Sequence, residues 1–154
     1  MNLVGETKER KYYFHSLSDS NTKFLRFLNR EYILLIYCGS QSFEDPAQLR
    51  SMVDYLLEGN LRYVVCVGEK AEVLEDLFDM QISKGNWEKI RGEAIGTIAE
   101  PDNPFRAIFD LTHISYPEKS IPENILMLFP EYNDVAKKYI EQLQKAITEE
   151  NKES

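Results

Sequence analysis

Residues 32–68 decide the fold: YILLIYCGSQSFEDPAQLRSMVDYLLEGNLRYVVCVG. Tyr32–Tyr37 is a continuous apolar run closely followed by Gly39, which is typical of a strand buried on both faces. Leu61–Val67 is a second apolar strand run, and it ends at Gly68. Between them, Asp45 predicts a helix N-cap, Pro46 fits the first turn, and Gly59 predicts a left-handed helix end. A strand, a helix and a second strand with short connections predict two parallel strands joined by a right-handed crossover.

A second helix is predicted downstream, over residues 70–83, and Gly85 and Asn86 end it. Its apolar residues recur at helical spacing, which predicts one buried stripe. The stripe consists of Val73, Leu74, Leu77, Phe78 and Ile82.

Upstream of the deciding stretch, residues 11–17 (KYYFHSL) predict a short strand, and a helix is predicted from Asn21 or Thr22 to Arg30. Downstream, residues 93–99 (EAIGTIA) and 106–113 (RAIFDLTH) both predict strands. Two prolines separate them, so we expect an antiparallel hairpin over 93–113.

The last third of the chain predicts two helices. Ser120 and Glu123 have the spacing of a capping box, which predicts a short helix reaching Phe129. A long closing helix follows, with one apolar face between Val135 and Ile147. The polar residues from about 149 to 154 are expected to fray.

Together these elements predict a single α/β domain over residues 1–154. We expect a small three-layer sandwich around a mostly parallel central sheet. The order of elements resembles a flavodoxin-like or Rossmann-like arrangement. Because folds of this kind carry many unrelated functions, the resemblance concerns architecture alone.

The chain is acidic, because it contains 18 Lys and Arg residues and 26 Asp and Glu residues, for a net charge of −8. Binding to nucleic acid depends on basic side chains, so no nucleic-acid partner is expected. The longest apolar run, 32–38, is far shorter than the ~20 residues of a membrane-spanning helix, and the first residues do not resemble a secretory signal. A cytoplasmic protein without membrane contact is expected.

Two cysteines, Cys38 and Cys66, lie inside apolar runs and are expected to be buried free thiols. Together with His15 and His113 they do not form a ligand set with zinc-site spacing. We therefore expect no metal site, and no motif indicates a cofactor.

A ligand site, if the protein has one, is expected at the carboxyl ends of the parallel strands. The residues that follow or end the predicted strands there are Ser40, Glu69, Asp110 and His113. Ordinary loops are the favoured interpretation of these residues, because no phosphate-binding or nucleophile motif accompanies them. Two histidines and no positioned nucleophile argue against Ser–His chemistry.

Four carboxylates form a stripe on the second predicted helix. Glu72, Glu75, Asp76 and Asp79 fall at positions i, i+3, i+4 and i+7. A solvated helix face is one interpretation of this stripe, and a docking surface for a basic protein is the other.

Two functional hypotheses follow from these patterns. The first is a noncatalytic cytoplasmic module that binds a basic protein, as an inhibitor or immunity-type protein would. The alternative is a small-ligand or nucleotide-related enzyme with its site at the strand ends, so the sequence leaves open whether the protein is an enzyme. Aromatic residues near predicted element ends also allow a structural subunit, and the oligomeric state stays open.

Overall fold

The computed structural model describes residues 1–19, 26–40 and 45–153. The strands in this part are β1 (Asn2–Glu6), β2 (Lys11–Ser16), β3 (Tyr32–Tyr37), β4 (Leu61–Val67), β5 (Gly96–Glu100) and β6 (Asn124–Phe129). The helices are α1 (Pro46–Glu58), α2 (Ala71–Gly85), α3 (Trp87–Arg91), α4 (Pro104–Phe109) and α5 (Asp134–Glu153). One π-helical turn, Asp110–Ile114, continues α4.

The six strands form one sheet in the order β1-β2-β6-β3-β4-β5. Strands β2 to β6 are parallel, and β1 pairs with β2 in the antiparallel direction. The predicted α/β sandwich with a mostly parallel sheet is therefore confirmed. Its strand order differs from both reference arrangements, because the last parallel strand in the chain, β6, lies between the first two.

The two strands and the helix of the deciding stretch form where they were predicted. Strands β3 and β4 are almost entirely buried and pair in parallel, and α1 connects them. The Asp45 side chain accepts a hydrogen bond from the amide of Ala47 at 2.9 Å, and Pro46 occupies the first turn. Local capping and the apolar runs agree here, which explains why the sequence was sufficient.

Helices cover both faces of the sheet and enclose two apolar cores. One core lies between the sheet and helices α1 and α2, and it includes Leu34, Leu56 and Phe78. The other lies between the sheet and helices α4 and α5, and it includes Leu35 and Tyr139. Alternating side chains of the central strands supply both cores, so the sheet is buried on each face.

The predicted hairpin over 93–113 is wrong. Strand β5 pairs with β4 in parallel, and residues 104–114 are helical rather than extended. Asn103 caps α4 by accepting from the Arg106 amide, and Pro104 begins the helix. Buried Ala107, Ile108 and Leu111 have the spacing of one helical face, and that spacing outweighs the β-prone composition of RAIFDLTH.

The predicted short helix from Ser120 to Phe129 is also wrong. Residues 124–129 (NILMLF) form β6, which pairs with β2 on one side and β3 on the other. Ser120 does not cap a helix, since its amide and hydroxyl both bind the carboxylate of Glu93. The polar groups of Ser120 that resemble a helix cap in the sequence therefore bind Glu93, a residue distant in the chain.

Smaller differences concern helix ends and faces. Gly59 ends α1 with extended backbone angles, φ −68° and ψ −178°, rather than in the left-handed conformation that was predicted. A side chain there would lie 2.8 Å from the Leu28 carbonyl oxygen, so close approach explains the glycine. Val73 is exposed rather than part of the buried stripe of α2.

The remaining predictions concern the two ends of the chain. Strand β2 confirms the strand predicted over 11–17, and β1, which was not predicted, pairs beside it. The helix predicted from Asn21 or Thr22 begins outside the described residues. The closing helix is confirmed as α5, and the tail that was expected to fray is helical through Glu153.

Candidate functional site

Ser40 and Glu69 lie where they were predicted, at the carboxyl ends of β3 and β4. Both residues are exposed. Backbone hydrogen bonds tie the two strand ends together, from the Lys70 amide to the Cys38 carbonyl oxygen at 3.0 Å. Gly68 turns the chain with φ +109°, and a side chain there would collide with the Cys38 carbonyl. This part of the rim is a tightly packed turn.

Asp110 and His113 do not end a strand, because both belong to the π-helical turn after α4. Arg10, which directly precedes β2, donates to the carbonyl oxygens of Leu111 and Ser115 at 3.0 and 2.8 Å. The end of this turn therefore lies near the amino ends of the strands, at the edge opposite the predicted rim. His113 is therefore separated from Ser40 and Glu69, whereas Asp110 lies beside Glu100 at the carboxyl end of β5.

Asp110 forms a buried pair with Glu100, the last residue of β5. Burial and then the hydrogen bond and charge of Glu100 raise the pKa of Asp110 to about 6, while Arg106 acts in the opposite direction. The guanidinium of Arg106 lies 3.4 Å from a Glu100 oxygen. Two buried carboxylates in contact favour the protonated form of Asp110.

His113 occupies a groove between α4 and α5. Its ring stacks on Phe109 with the ring centroids 4.5 Å apart, and its Nδ1 lies 2.8 Å from the Thr112 hydroxyl. The groove has a volume of about 240 Å³. Residues from the last three turns of α5 form its second wall, which includes three glutamates.

A carboxylate held by two tyrosines lies at the carboxyl ends of the strands. Asp102, in the loop after β5, accepts hydrogen bonds from the hydroxyls of Tyr37 at 2.8 Å and Tyr139 at 2.6 Å. Burial, followed by this hydrogen bond, raises the pKa of both phenols. The pairing joins β3, α5 and the loop after β5, and sequence reasoning missed it because the three residues are distant in the chain.

A cavity with a volume of about 460 Å³ lies at the carboxyl end of β2. Its apolar wall includes Val4, Phe14 and Ile140, and Ser18 and Asp19 lie at its polar end. His15 also lines it, but strand alternation places that side chain on the opposite face of the sheet from Phe14. The cavity mixes apolar walls with a few polar groups, as small-molecule sites do.

The acidic residues predicted on α2 form one continuous surface, which we call the α2 acidic face: Glu72, Glu75, Asp76 and Asp79. Glu75 is half-buried and the other three are exposed. Burial and then the charges of Asp79, Asp76 and Glu72 raise the pKa of Glu75. The four carboxylates therefore lie close enough to repel one another, as the sequence spacing predicted.

Both cysteines are buried and free, and burial raises the pKa of each thiol. Within the described ranges, no three His, Cys, Asp or Glu side chains form a group that could hold a metal ion. Among the helices of the same residues, none combines the length and apolar composition needed to cross a bilayer.

The chain matches no model of a known protein family, and no curated protein matches it.

Proposed function

We propose that the protein is a noncatalytic interaction module that binds a basic protein partner through the α2 acidic face. The observation that carries the proposal is the crowding of four carboxylates on an exposed helix. In the part of the chain that the structure describes, none of the four forms an ion pair within 4 Å. Asp79 accepts one hydrogen bond, from the Thr97 hydroxyl at 2.7 Å.

This arrangement costs stability, because like charges at i,i+3 and i,i+4 spacing repel. A basic partner would relieve the repulsion when it binds. Complementary charge would also accelerate association and discriminate against acidic proteins. Binding of a basic partner would therefore recover stability that the repulsion among the carboxylates costs the free protein.

Apolar side chains beside the carboxylates support a protein partner rather than free cations. Val73 is 60% exposed and Met80 is 45% exposed, and both lie on α2. Protein interfaces combine a desolvated apolar centre with a polar rim. Val73 and Met80 supply the apolar part, and the α2 acidic face supplies the rim.

A cytoplasmic location is part of the proposal. Two buried free thiols suit a reducing compartment. The size and charge also suit an inhibitor or immunity-type protein that covers a basic surface of a toxin.

The test compares two charge reversals of equal size. One variant carries Glu72→Lys, Glu75→Lys, Asp76→Lys and Asp79→Lys, and the matched control reverses four exposed glutamates elsewhere, Glu9, Glu58, Glu118 and Glu131. A partner captured by the native protein is purified, and its dissociation constant is measured by calorimetry for all three proteins. We expect a loss of about 100-fold or more for the α2 variant and a much smaller loss for the control. Equal losses, or a partner without a basic surface, would contradict the proposal.

The cavity at the carboxyl end of β2 favours a second candidate function, the binding of a small molecule. The alternative drawn from the sequence placed a ligand at the strand ends, and this cavity occupies that edge with different residues. A thermal-shift screen against nucleotides, sugar phosphates and small amines tests it. A ligand at 100 times its dissociation constant stabilises by about 2.7 kcal/mol, or roughly 5–10 °C for a chain of this size. No shift with any of these compounds would reject this candidate.

A further inference from the structure

We infer that the groove between α4 and α5 is a second docking site, which binds a short basic amphipathic segment of a partner protein. The groove lies on the face of the sheet opposite α2, so it shares no residue with the α2 acidic face. This inference goes beyond the proposed function and does not depend on it.

Two exposed phenylalanines on α4 are the first observation. Phe105 is 64% exposed and Phe109 is 47% exposed, and both line the groove. The opposite face of α4 is already buried through Ala107 and Ile108, and both rings keep a large exposed surface. Burying apolar surface that water now contacts is favourable, so these rings favour a partner at this position.

Local structure holds one of these rings in place. The π-helical turn places His113 against Phe109, with the two rings nearly parallel at 14°. Arg10 fixes the same turn through its two hydrogen bonds and stacks 4.0 Å from the ring centroid of Tyr116. The wall of the groove is therefore organised before binding, which reduces the entropy lost on association.

The charge of the second wall determines the kind of partner. Glu149, Glu150 and Glu153 line the groove together with Lys145. Lys152 lies 3.4 Å from Glu149 and offsets part of its charge. These glutamates also occupy the last turns of α5, where the helix dipole adds negative potential. Lysine or arginine in the partner would complement this wall.

The volume limits what can enter. About 240 Å³ accommodates one or two large side chains rather than a folded surface. A short segment with one or two large apolar residues flanked by basic residues fits this groove. Its apolar residues would fill the volume and contact the phenylalanines, and its basic residues would complement the glutamates. A groove between two helices commonly accepts such a segment as a helix.

The experiment uses the full chain and a synthetic 14-residue peptide of leucine and lysine at helical spacing. Amide chemical shifts locate the bound peptide, and calorimetry gives its dissociation constant. We expect the shifts to change at 105–113 and 142–153, and the affinity to fall at least 10-fold with Phe105→Glu. The triple variant Glu149→Lys, Glu150→Lys and Glu153→Lys should cause a similar loss and retains both phenylalanines, so it tests the site even if Phe105→Glu fails to fold.

Two controls make the result specific. The α2 charge reversal should leave peptide affinity within about threefold, because that surface lies on the other face of the sheet. A peptide with serine in place of leucine has the same charge and should bind at least 10-fold more weakly.

Three results would overturn the inference. These are equal binding of the serine peptide, shift changes centred on α2, and a dimer in sedimentation that Phe105→Glu or the triple variant converts to monomer. The dimer would show that a second copy of the chain occupies the groove.

Discussion

Glu93, between α3 and β5, holds two loops together through its carboxylate. It accepts hydrogen bonds from the Arg62 guanidinium at 2.9 Å, from the amides of Lys119 and Ser120 at 2.9 and 3.0 Å, and from the Ser120 hydroxyl. Burial would raise the pKa of Glu93, but these donors reverse that effect and lower the pKa to about 2. The ionised carboxylate is thus strongly favoured in the folded state.

The stability contributed by Glu93 should therefore depend on pH. It should be fully present above about pH 4.5, the ordinary pKa of glutamate, and be lost as pH falls toward 2, since the unfolded chain takes up the proton first. A shift of this size corresponds to about 3 kcal/mol. Urea denaturation from pH 7 to pH 2.5 should show this loss in the native protein and not in Glu93→Gln, which should be about 2–3 kcal/mol less stable at pH 7. Parallel curves for the two proteins would contradict it.

The charge of Asp110 should lower the stability of the folded protein, whereas the charge of Glu93 raises it. Its pKa is raised to about 6, so above that pH the folded protein holds a charge that burial and Glu100 disfavour. Asp110→Asn should stabilise the protein at pH 7.5 by on the order of 1–2 kcal/mol. The advantage should shrink as pH falls from 6 toward 4, and paired denaturation curves at pH 7.5 and pH 5 measure it. A less stable asparagine variant at pH 7.5 would show that the carboxylate is needed in its charged form.

At the scale of single elements, the α2 acidic face has a measurable cost. Glu75 has like charges at i−3 and i+4, Glu72 and Asp79, so Glu75→Gln should stabilise the protein by about 0.5–1 kcal/mol at low salt. The gain should decrease in 1 M NaCl, where charges are screened beyond about 3 Å. Glu141→Gln on α5 is the matched control, since its neighbours Lys137 and Lys145 are basic and the same change should destabilise. Chemical denaturation at the two salt concentrations measures both variants, and an effect of the same sign in both would contradict the repulsion.

Elements whose signals are local were predictable from the sequence, and the others were not. Strands β3 and β4 and helix α1 follow from apolar runs and from the Asp45–Pro46 cap. Residues 106–113 were assigned to a strand because of their β-prone composition, and the prolines before them were interpreted as a turn, whereas Asn103 and Pro104 begin α4. Strand β6 was missed because Ser120 and Glu123 imitate a capping box. Their real partners, Glu93 and Lys11, are distant in the chain.

The candidate sites also differ in whether the sequence could predict them. The α2 acidic face was predicted because helical spacing alone brings its members together. The groove between α4 and α5 and the Asp102 pairing with two tyrosines join residues from separate elements. No spacing rule within one segment could have shown them.

For the whole molecule, the position of β6 makes the sheet depend on the end of the chain. Strand β6 forms ladders with both β2 and β3, and its residues 125–129 are buried. A chain ending at residue 120 should therefore show no cooperative thermal transition by circular dichroism. A chain ending at residue 148 keeps buried Leu143 and Ile147, loses the hydrogen bond from Asn151 to Glu6, and should still melt cooperatively.

The substitution Leu126→Asp tests the contribution of β6 separately from that of α5, because it changes one fully buried strand position and keeps the sequence of the helix. It should abolish the cooperative transition as the shorter truncation does. Cooperative unfolding of the chain that ends at residue 120 would show that the two parts of the sheet are stable apart.

The same topology bears on how the protein is made. A ribosome that adds about 5–20 residues per second takes roughly 5–20 s to pass from the end of β3 to the end of β6. During that interval the nascent chain contains a β1–β2 hairpin and a β3–β4 pair. The edges of β2 and β3 that later pair with β6 remain unpaired. Such edges attract other chains, so newly synthesised copies should be the population that chaperones bind and that aggregates first when synthesis stalls.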